Sequence, residues 1–286
     1  MRNFLIIAFL LLGWSCQPSP PAPLTIATAA NMQFAMAEMI TAFTEKTGVE
    51  CRMVKSSSGV LTAQIEQGAP FHVFVSADSK YPENLFQKGL AASPPKEYAQ
   101  GKLVLWTLRD DLEPTFEQCL DDRVKSIVLP STESAPYGKA AEEAFLQSEY
   151  AELLEEKKVF ALNVLQAANQ IKLGAAEIGI TAKSVVLVSR NKGAGKWREL
   201  PDSTYSPIRQ SAVVLKTQEG VHPEAQKFFE FLFSAEAQKI LTDFGYNVTQ
   251  LESGTQQLHT GAVHHHRFVG SQPAVGSLAG VLPIQN

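Results

Sequence analysis

Residues 24–48 read LTIATAANMQFAMAEMITAFTEKTG, a β-type run leading straight into a helical one. Leu24 to Thr28 is a short run of β-type residues. From Asn31 the pattern changes. Phe34, Met36, Met39, Ile40 and Phe43 form an apolar stripe at helical spacing, and Gly48 ends it. A strand running directly into a helix is half of an α/β unit, and the same alternation recurs outward from it. Glu50 to Lys55 reads as a strand, Ser56-Ser57-Ser58-Gly59 as a turn, and Val60 to Glu66 as a helix stopped by Gly68. Val73 to Ser76 reads as a buried strand, and Asp78 is placed to cap the next helix. Strands follow at Leu103 to Thr107, Ser126 to Leu129, Ile178 to Thr181 and Ala212 to Lys216. Helices follow at Gly138 to Leu146, Val164 to Leu173, Pro223 to Phe233 and Ala235 to Phe244. This rhythm predicts an α/β protein of mainly parallel sheets flanked by helices. No internal repeat is visible.

A chain of 286 residues has room for two lobes of ordinary size. The apolar runs near 103–106 and 212–215 suit two crossings between lobes, with Trp106 as core at one of them. The expected division is residues 24–103 plus 213–248 in one lobe and 104–212 in the other. The two ends have a different character. Arg2 and the apolar run Phe4 to Trp14 have the length and flanks of a secretion signal, too short to span a bilayer. The run ends in Gly13-Trp14-Ser15-Cys16, which resembles the lipobox of bacterial lipoproteins and marks Cys16 as a lipidation site. Residues 1–16 are therefore read as a signal peptide, and residues 17–23, with four prolines, as an extended tether. Residues 249–286 are rich in Gly, Ser, Gln and His without periodicity and are read as a disordered tail. His264-His265-His266 lies there without carboxylate or thiol co-ligands, so no functional metal site is expected of it. Cys51 and Cys119 are either a disulfide or two buried thiols; spacing does not decide.

The composition is that of an ordinary globular protein, 45% hydrophobic and 19% charged, with a formal net charge of -4. No basic stripe is present, so nucleic acid is not an expected partner. The mild acidity also means that any anion site must be built locally. No nucleophile elbow, phosphate-cradling Gly-rich loop with its lysine, or zinc-binding His-Glu-x-x-His is present, and His72 and His222 are the only histidines before the tail. The chain is not expected to be an enzyme. What it offers is a set of helix starts rich in neutral donors: Ala29-Ala30-Asn31, Ser57-Ser58-Gly59, Ala135 to Gly138, and Asn163-Val164. Each helix start exposes unpaired N–H groups at the positive end of the helix dipole. Singly, each reads as an ordinary cap. Several directed into one cleft would bind an anion without a charged side chain.

On these residues the chain resembles the periplasmic molybdate-binding proteins of ABC transporters, the ModA family. The matching segments are Leu24 to Asn31, Ser56 to Gly59, Gly68 to Asp78, Gly101 to Trp106, Ala135 to Gly138, Gly174 to Gly179 and Phe244 to Tyr246, in family order. The Gly68-Ala-Pro … Ser-Ala-Asp78 segment is the most specific. The resemblance implies a two-lobed periplasmic-binding-protein fold with molybdate or tungstate in the interlobe cleft, and delivery of the ion to an ABC permease. It implies no cofactor and no metal other than the molybdenum or tungsten of the oxyanion. A monomer in the periplasm or cell envelope, anchored by lipid at Cys16, is expected. Asn31 and Ser58 are placed as side-chain donors. Ala30 and Ala77 are placed as backbone donors from the first lobe, and Tyr137 and Val164 as backbone donors from the second. Some members carry Tyr where Ala182 aligns; this chain matches the variety with Asn, so Ala182 is not expected to be a ligand. The alternatives are another oxyanion such as sulfate or phosphate, or ferric iron. More remote are a secreted hydrolase using one of Ser56, Ser57 or Ser58, and an adhesive lipoprotein without a small ligand.

Overall fold

The first strand, β1 (Leu24–Ala29), is buried at all six positions. A strand covered on both faces must lie inside a sheet with helices above and below, and its apolar run carries no alternation for that reason. The structure, a computed structural model, describes residues 22–188 and 194–248. Cys16, the signal segment, the tether as far as residue 21, and the residue 249–286 tail with His264, His265 and His266 lie outside the described residues.

In chain order the strands are β1, β2 (Cys51–Ser56), β3 (Val73–Val75), β4 (Lys96–Gly101), β5 (Leu103–Thr107), β6 (Ile127–Pro130), β7 (Lys158–Ala161), β8 (Ile178–Ala182), β9 (Lys196–Glu199) and β10 (Ile208–Val214). The α-helices are α1 (Gln33–Thr47), α2 (Ser58–Glu66), α3 (Lys80–Gln87), α4 (Pro136–Leu146), α5 (Ala151–Leu154), α6 (Val164–Lys172), α7 (Lys183–Val186), α8 (Ala225–Phe231) and α9 (Ala235–Asp243). A 3-10 turn, Ala30–Met32, joins β1 to α1.

Two five-stranded sheets result, ordered β2-β1-β3-β10-β4 and β7-β6-β8-β5-β9, one for each lobe of a periplasmic-binding-protein fold. Where the alternation of elements points to mainly parallel sheets, each sheet is mixed. β1 runs parallel to β2 and β3, and β6 parallel to β7 and β8. β10 is antiparallel to β3 and β4, and β5 to β8 and β9. The reason is connectivity. A parallel neighbour needs a long crossover, which α1, α2, α4 and α6 supply. β5 and β10 instead enter their sheets from the opposite lobe, without such a crossover. The lobe boundaries also differ from the expected ones. Leu103 opens a strand of the second sheet, and the whole of Ile208–Val214 pairs in the first, so the chain returns before Ile208 rather than after 212.

In the first lobe, Met36, Met39 and Phe43 of α1 pack with Phe228 and Leu232 on one face of the sheet. Leu61, Phe74 and Leu85 fill the other face. Trp106, Ile127, Phe145 and Ile178 lie in the core of the second lobe, and Trp106 is fully buried. Cys51 and Cys119 are free thiols in different lobes. Burial holds both protonated, pushing Cys51 up to about 11 and Cys119 up to about 12. Among the described residues no helix is long and apolar enough to cross a membrane.

Candidate functional site

A small cavity lies between the lobes, at the carboxyl ends of parallel strands, where open α/β sheets place their ligands. Ala29 ends β1 and Ala30 and Asn31 follow it, Ser57 and Ser58 follow β2, and Ala77 follows β3. From the second lobe, Ala135, Pro136 and Tyr137 come from the loop after β6 and the start of α4, and Asn163 and Val164 follow β7. The structure thus brings Ala30, Asn31, Ser58, Ala77, Tyr137 and Val164 to one cavity. Ala182, at the end of β8, does not line it.

Four helical starts meet here, and their first N–H groups have no partner inside their own helices. They differ in how they are capped. Asn163 is an ordinary cap: its Oδ1 accepts from Leu165 N at 3.0 Å and Gln166 N at 3.1 Å, leaving the Val164 N–H outside the cap. Ala29 and Ala135 have no side chain with which to cap, and Ser57 makes no capping bond. Instead the Ser57 Oγ is buried without a partner at the edge of the cavity. Sequence inspection did not single out Ser57 as a ligand.

Two residues depart from expectation. The Ala77 N–H donates to Ser58 Oγ at 3.0 Å, so it braces the serine rather than standing open. The Ser58 hydroxyl, already accepting, keeps its own proton to donate. The Asn31 side-chain amide is also engaged. Its Nδ2 donates to Gln210 Oε1 at 2.7 Å and to Tyr246 Oη at 3.0 Å. The Asn31 backbone carbonyl accepts from Tyr246 Oη and Ser184 Oγ, each at 2.9 Å.

These contacts belong to a buried polar network behind the cavity. Gln210 is fully buried; its Oε1 also accepts from Tyr98 Oη at 3.0 Å, and its Nε2 donates to Tyr137 Oη at 3.3 Å. Burial is the first cause raising Tyr98, Tyr137 and Tyr246 above the ordinary phenol range, so all three stay neutral. Gln210 was not foreseen. Its one signal is a polar residue beside a run of small and β-branched apolar ones.

The lobes are drawn together over the cavity. The Gly59 N–H, on α2, donates to the Ser134 carbonyl of the opposite lobe at 3.0 Å. The Tyr137 ring reaches back to the crossing, so close to Gly101 that a Cβ there would lie 2.0 Å from its Oη. Among the described residues no charged side chain lines the cavity. Asp78 is turned away to cap α3, its Oδ1 accepting from Tyr81 N at 3.2 Å, and burial first of all raises its pKa. Among the described residues no group of three or more His, Cys, Asp or Glu side chains is gathered as a metal site. Chemically, the cavity presents hydroxyls and N–H groups to whatever enters, with no formal charge.

The bacterial extracellular solute-binding protein family matches residues 24–247. The chain is 35% identical over 232 residues to the molybdate-binding protein ModA of Rhodobacter capsulatus, covering 80% of this chain and 90% of that one. The solved periplasmic molybdate-binding protein of Azotobacter vinelandii superposes with a TM-score of 0.73 at 32% identity, over 79% of this chain and all of that one. The sulfate-binding protein SubI of Mycobacterium tuberculosis, at 14% identity and a TM-score of 0.66 over 80% of this chain and 88% of that one, shares the fold.

Proposed function

Because the chain belongs to the bacterial extracellular solute-binding protein family, we propose that it captures molybdate outside the cytoplasm and hands it to an ABC permease. The observation that carries this reading is the convergence of four helical starts from two lobes on one cavity with no charged side chain. The relatives named above are binding proteins, and capture followed by release requires no bond to be made or broken.

In this reading the oxyanion takes hydrogen bonds from the Ser58 hydroxyl and from the N–H groups of Ala30, Asn31, Ser58, Tyr137 and Val164. Asn31 adds its side-chain amide after a half-turn that exchanges Oδ1 and Nδ2, with a matching half-turn of Gln210. The lobes close by hinge motion about the two crossings. Tungstate, with the same charge and shape, is a second ligand. The protein acts as a monomer, tethered by lipid at Cys16; Cys16→Ser should move it from the membrane to the soluble fraction on cell fractionation.

Selectivity follows from the donor set. A fully ionised dianion accepts from every group in the cavity. Hydrogen phosphate must donate one proton, and the side chains proposed to donate to the ion could take it only if a serine hydroxyl gave up its own donation; left unpaired, that proton costs about 1–3 kcal/mol. Sulfate has the right charge but is smaller, so its oxygens stand off from some donors, and hydrogen bonds weaken steeply with distance. Competition calorimetry on the purified protein should show tight molybdate and tungstate, weak sulfate and little phosphate. Sulfate or phosphate binding as tightly as molybdate would refute the assignment and leave the fold standing.

A further inference from the structure

We infer that Ser57 is a further ligand-binding residue, its hydroxyl donating to the oxyanion held in the cavity; this rests on the oxyanion reading above. Ser57 occupies the residue before α2 with extended backbone, φ −66° and ψ 151°. In that position a serine oxygen ordinarily accepts from the N–H two or three residues on. The same chain does this elsewhere: Asn163 caps α6 through two N–H groups, and Ser234 caps α9 through Ala237 N at 3.2 Å. Ser57 makes no such bond.

The reason lies across the cleft. The N–H that Ser57 would cap first is that of Gly59, and it is taken by the Ser134 carbonyl of the other lobe. With the lobes together, the Ser57 hydroxyl is released from duty to its own helix. It is left 2% exposed, lining the cavity, its oxygen without any partner. A buried hydroxyl is ordinarily paired, and an orphan one facing a cavity of donors marks the place of an acceptor that enters from outside. Its neighbour Ser58 is held differently, by the Ala77 N–H, so the two serines offer separate protons from adjacent positions.

The test compares the wild type with Ser57→Ala, by calorimetric titration with sodium molybdate and by melting with and without it. A donor to a dianion predicts a Kd raised at least about tenfold in Ser57→Ala. It also predicts that the alanine substitution lowers the melting temperature more with saturating molybdate than without ligand, because only the bound form loses a bond to the ion. A Kd within twofold of wild type overturns the assignment. Paired with a ligand-free melting temperature lowered by about 2–4 °C, that outcome identifies Ser57 as an ordinary cap. Should the alanine variant not fold, Ser57→Cys, a poor donor of similar size, is read by the same Kd criterion. A wild type that binds no molybdate overturns the functional reading itself; a wild type that binds beside an equally good Ser57→Ala overturns this assignment alone.

Discussion

Asn31 carries two demands on one side chain: it faces the cavity, and it anchors a buried network through Gln210 and Tyr246. Asn31→Ala and Ser58→Ala should each weaken molybdate binding by about 1.5–3 kcal/mol, the range for hydrogen bonds to a charged group. That is roughly tenfold to over a hundredfold, read by titration with melting checked alongside. Equal binding by a folded double variant would remove both residues from the site. Gln210→Leu acts differently. It removes one of two acceptors from Asn31 Nδ2 and from Tyr98 Oη, which keep Tyr246 Oη and the Ser76 carbonyl, each at 3.0 Å, so the loss is about 0.5–1.5 kcal/mol for each hydrogen bond removed. At about 2–4 °C per kcal/mol for a protein of this size, melting should fall by several degrees even without ligand. The helix starts were legible as neutral-donor segments, and the family resemblance picked the six candidate ligands from them and from the Gly68–Asp78 segment. Their states were not legible. That Ala77 N–H is bound to Ser58, and that Asn31 donates away from the cavity, depends on partners 19 and 179 residues distant in the chain.

The elements that sequence periodicity found are the buried ones, such as β1, β3, β5 and β8, each apolar throughout or nearly so. Those it missed, β4, β7 and β9, are all at sheet edges. Their sequences, KEYAQG, KVFA and KWRE, are polar or mixed because one side of an edge strand meets water, and charge there discourages pairing with another molecule. Two further tests belong at this scale. Asn163→Ala removes a cap that satisfies two N–H groups, so it should cost about 1 kcal/mol, read as a melting temperature lower by about 2–4 °C. The second test concerns the start of β3. There His72 Nδ1 accepts from Thr25 N of β1 at 2.9 Å, and its ring lies 4.4 Å from that of His222. Burial first, then His222 and Arg52, lower its pKa below the ordinary 6.5, with Glu219 opposing. The unfolded chain therefore takes up the proton first as pH falls through about 6.5, and stability drops until the folded ring protonates too. His72→Asn keeps an acceptor and removes the titration. Between pH 7 and 5 the melting temperature of the wild type should fall more steeply than that of the variant; parallel curves would rule out this linkage.

At the scale of the whole molecule, the two lobes meet where Tyr137 lies against Gly101, and there is no room for a side chain. Gly101→Ala must displace the Tyr137 ring from the crossing. Small-angle scattering should show the wild type compacting on adding molybdate and the variant compacting less, with weaker binding. A variant that closes normally would show that the ring is free to move aside. The described lining of the cavity is uncharged. No cation cancels the ion as it arrives, and the chain as a whole carries a formal charge of -4. Protein and dianion thus approach under mild mutual repulsion. The reach of that repulsion shrinks from about 30 Å at 0.01 M ionic strength to about 10 Å at 0.1 M. Adding salt should therefore leave the association rate for molybdate flat or raise it, opposite to the steep slowing seen when opposite charges steer an encounter. A steep fall in stopped-flow rates across that range would reveal a cationic funnel at the mouth of the cleft.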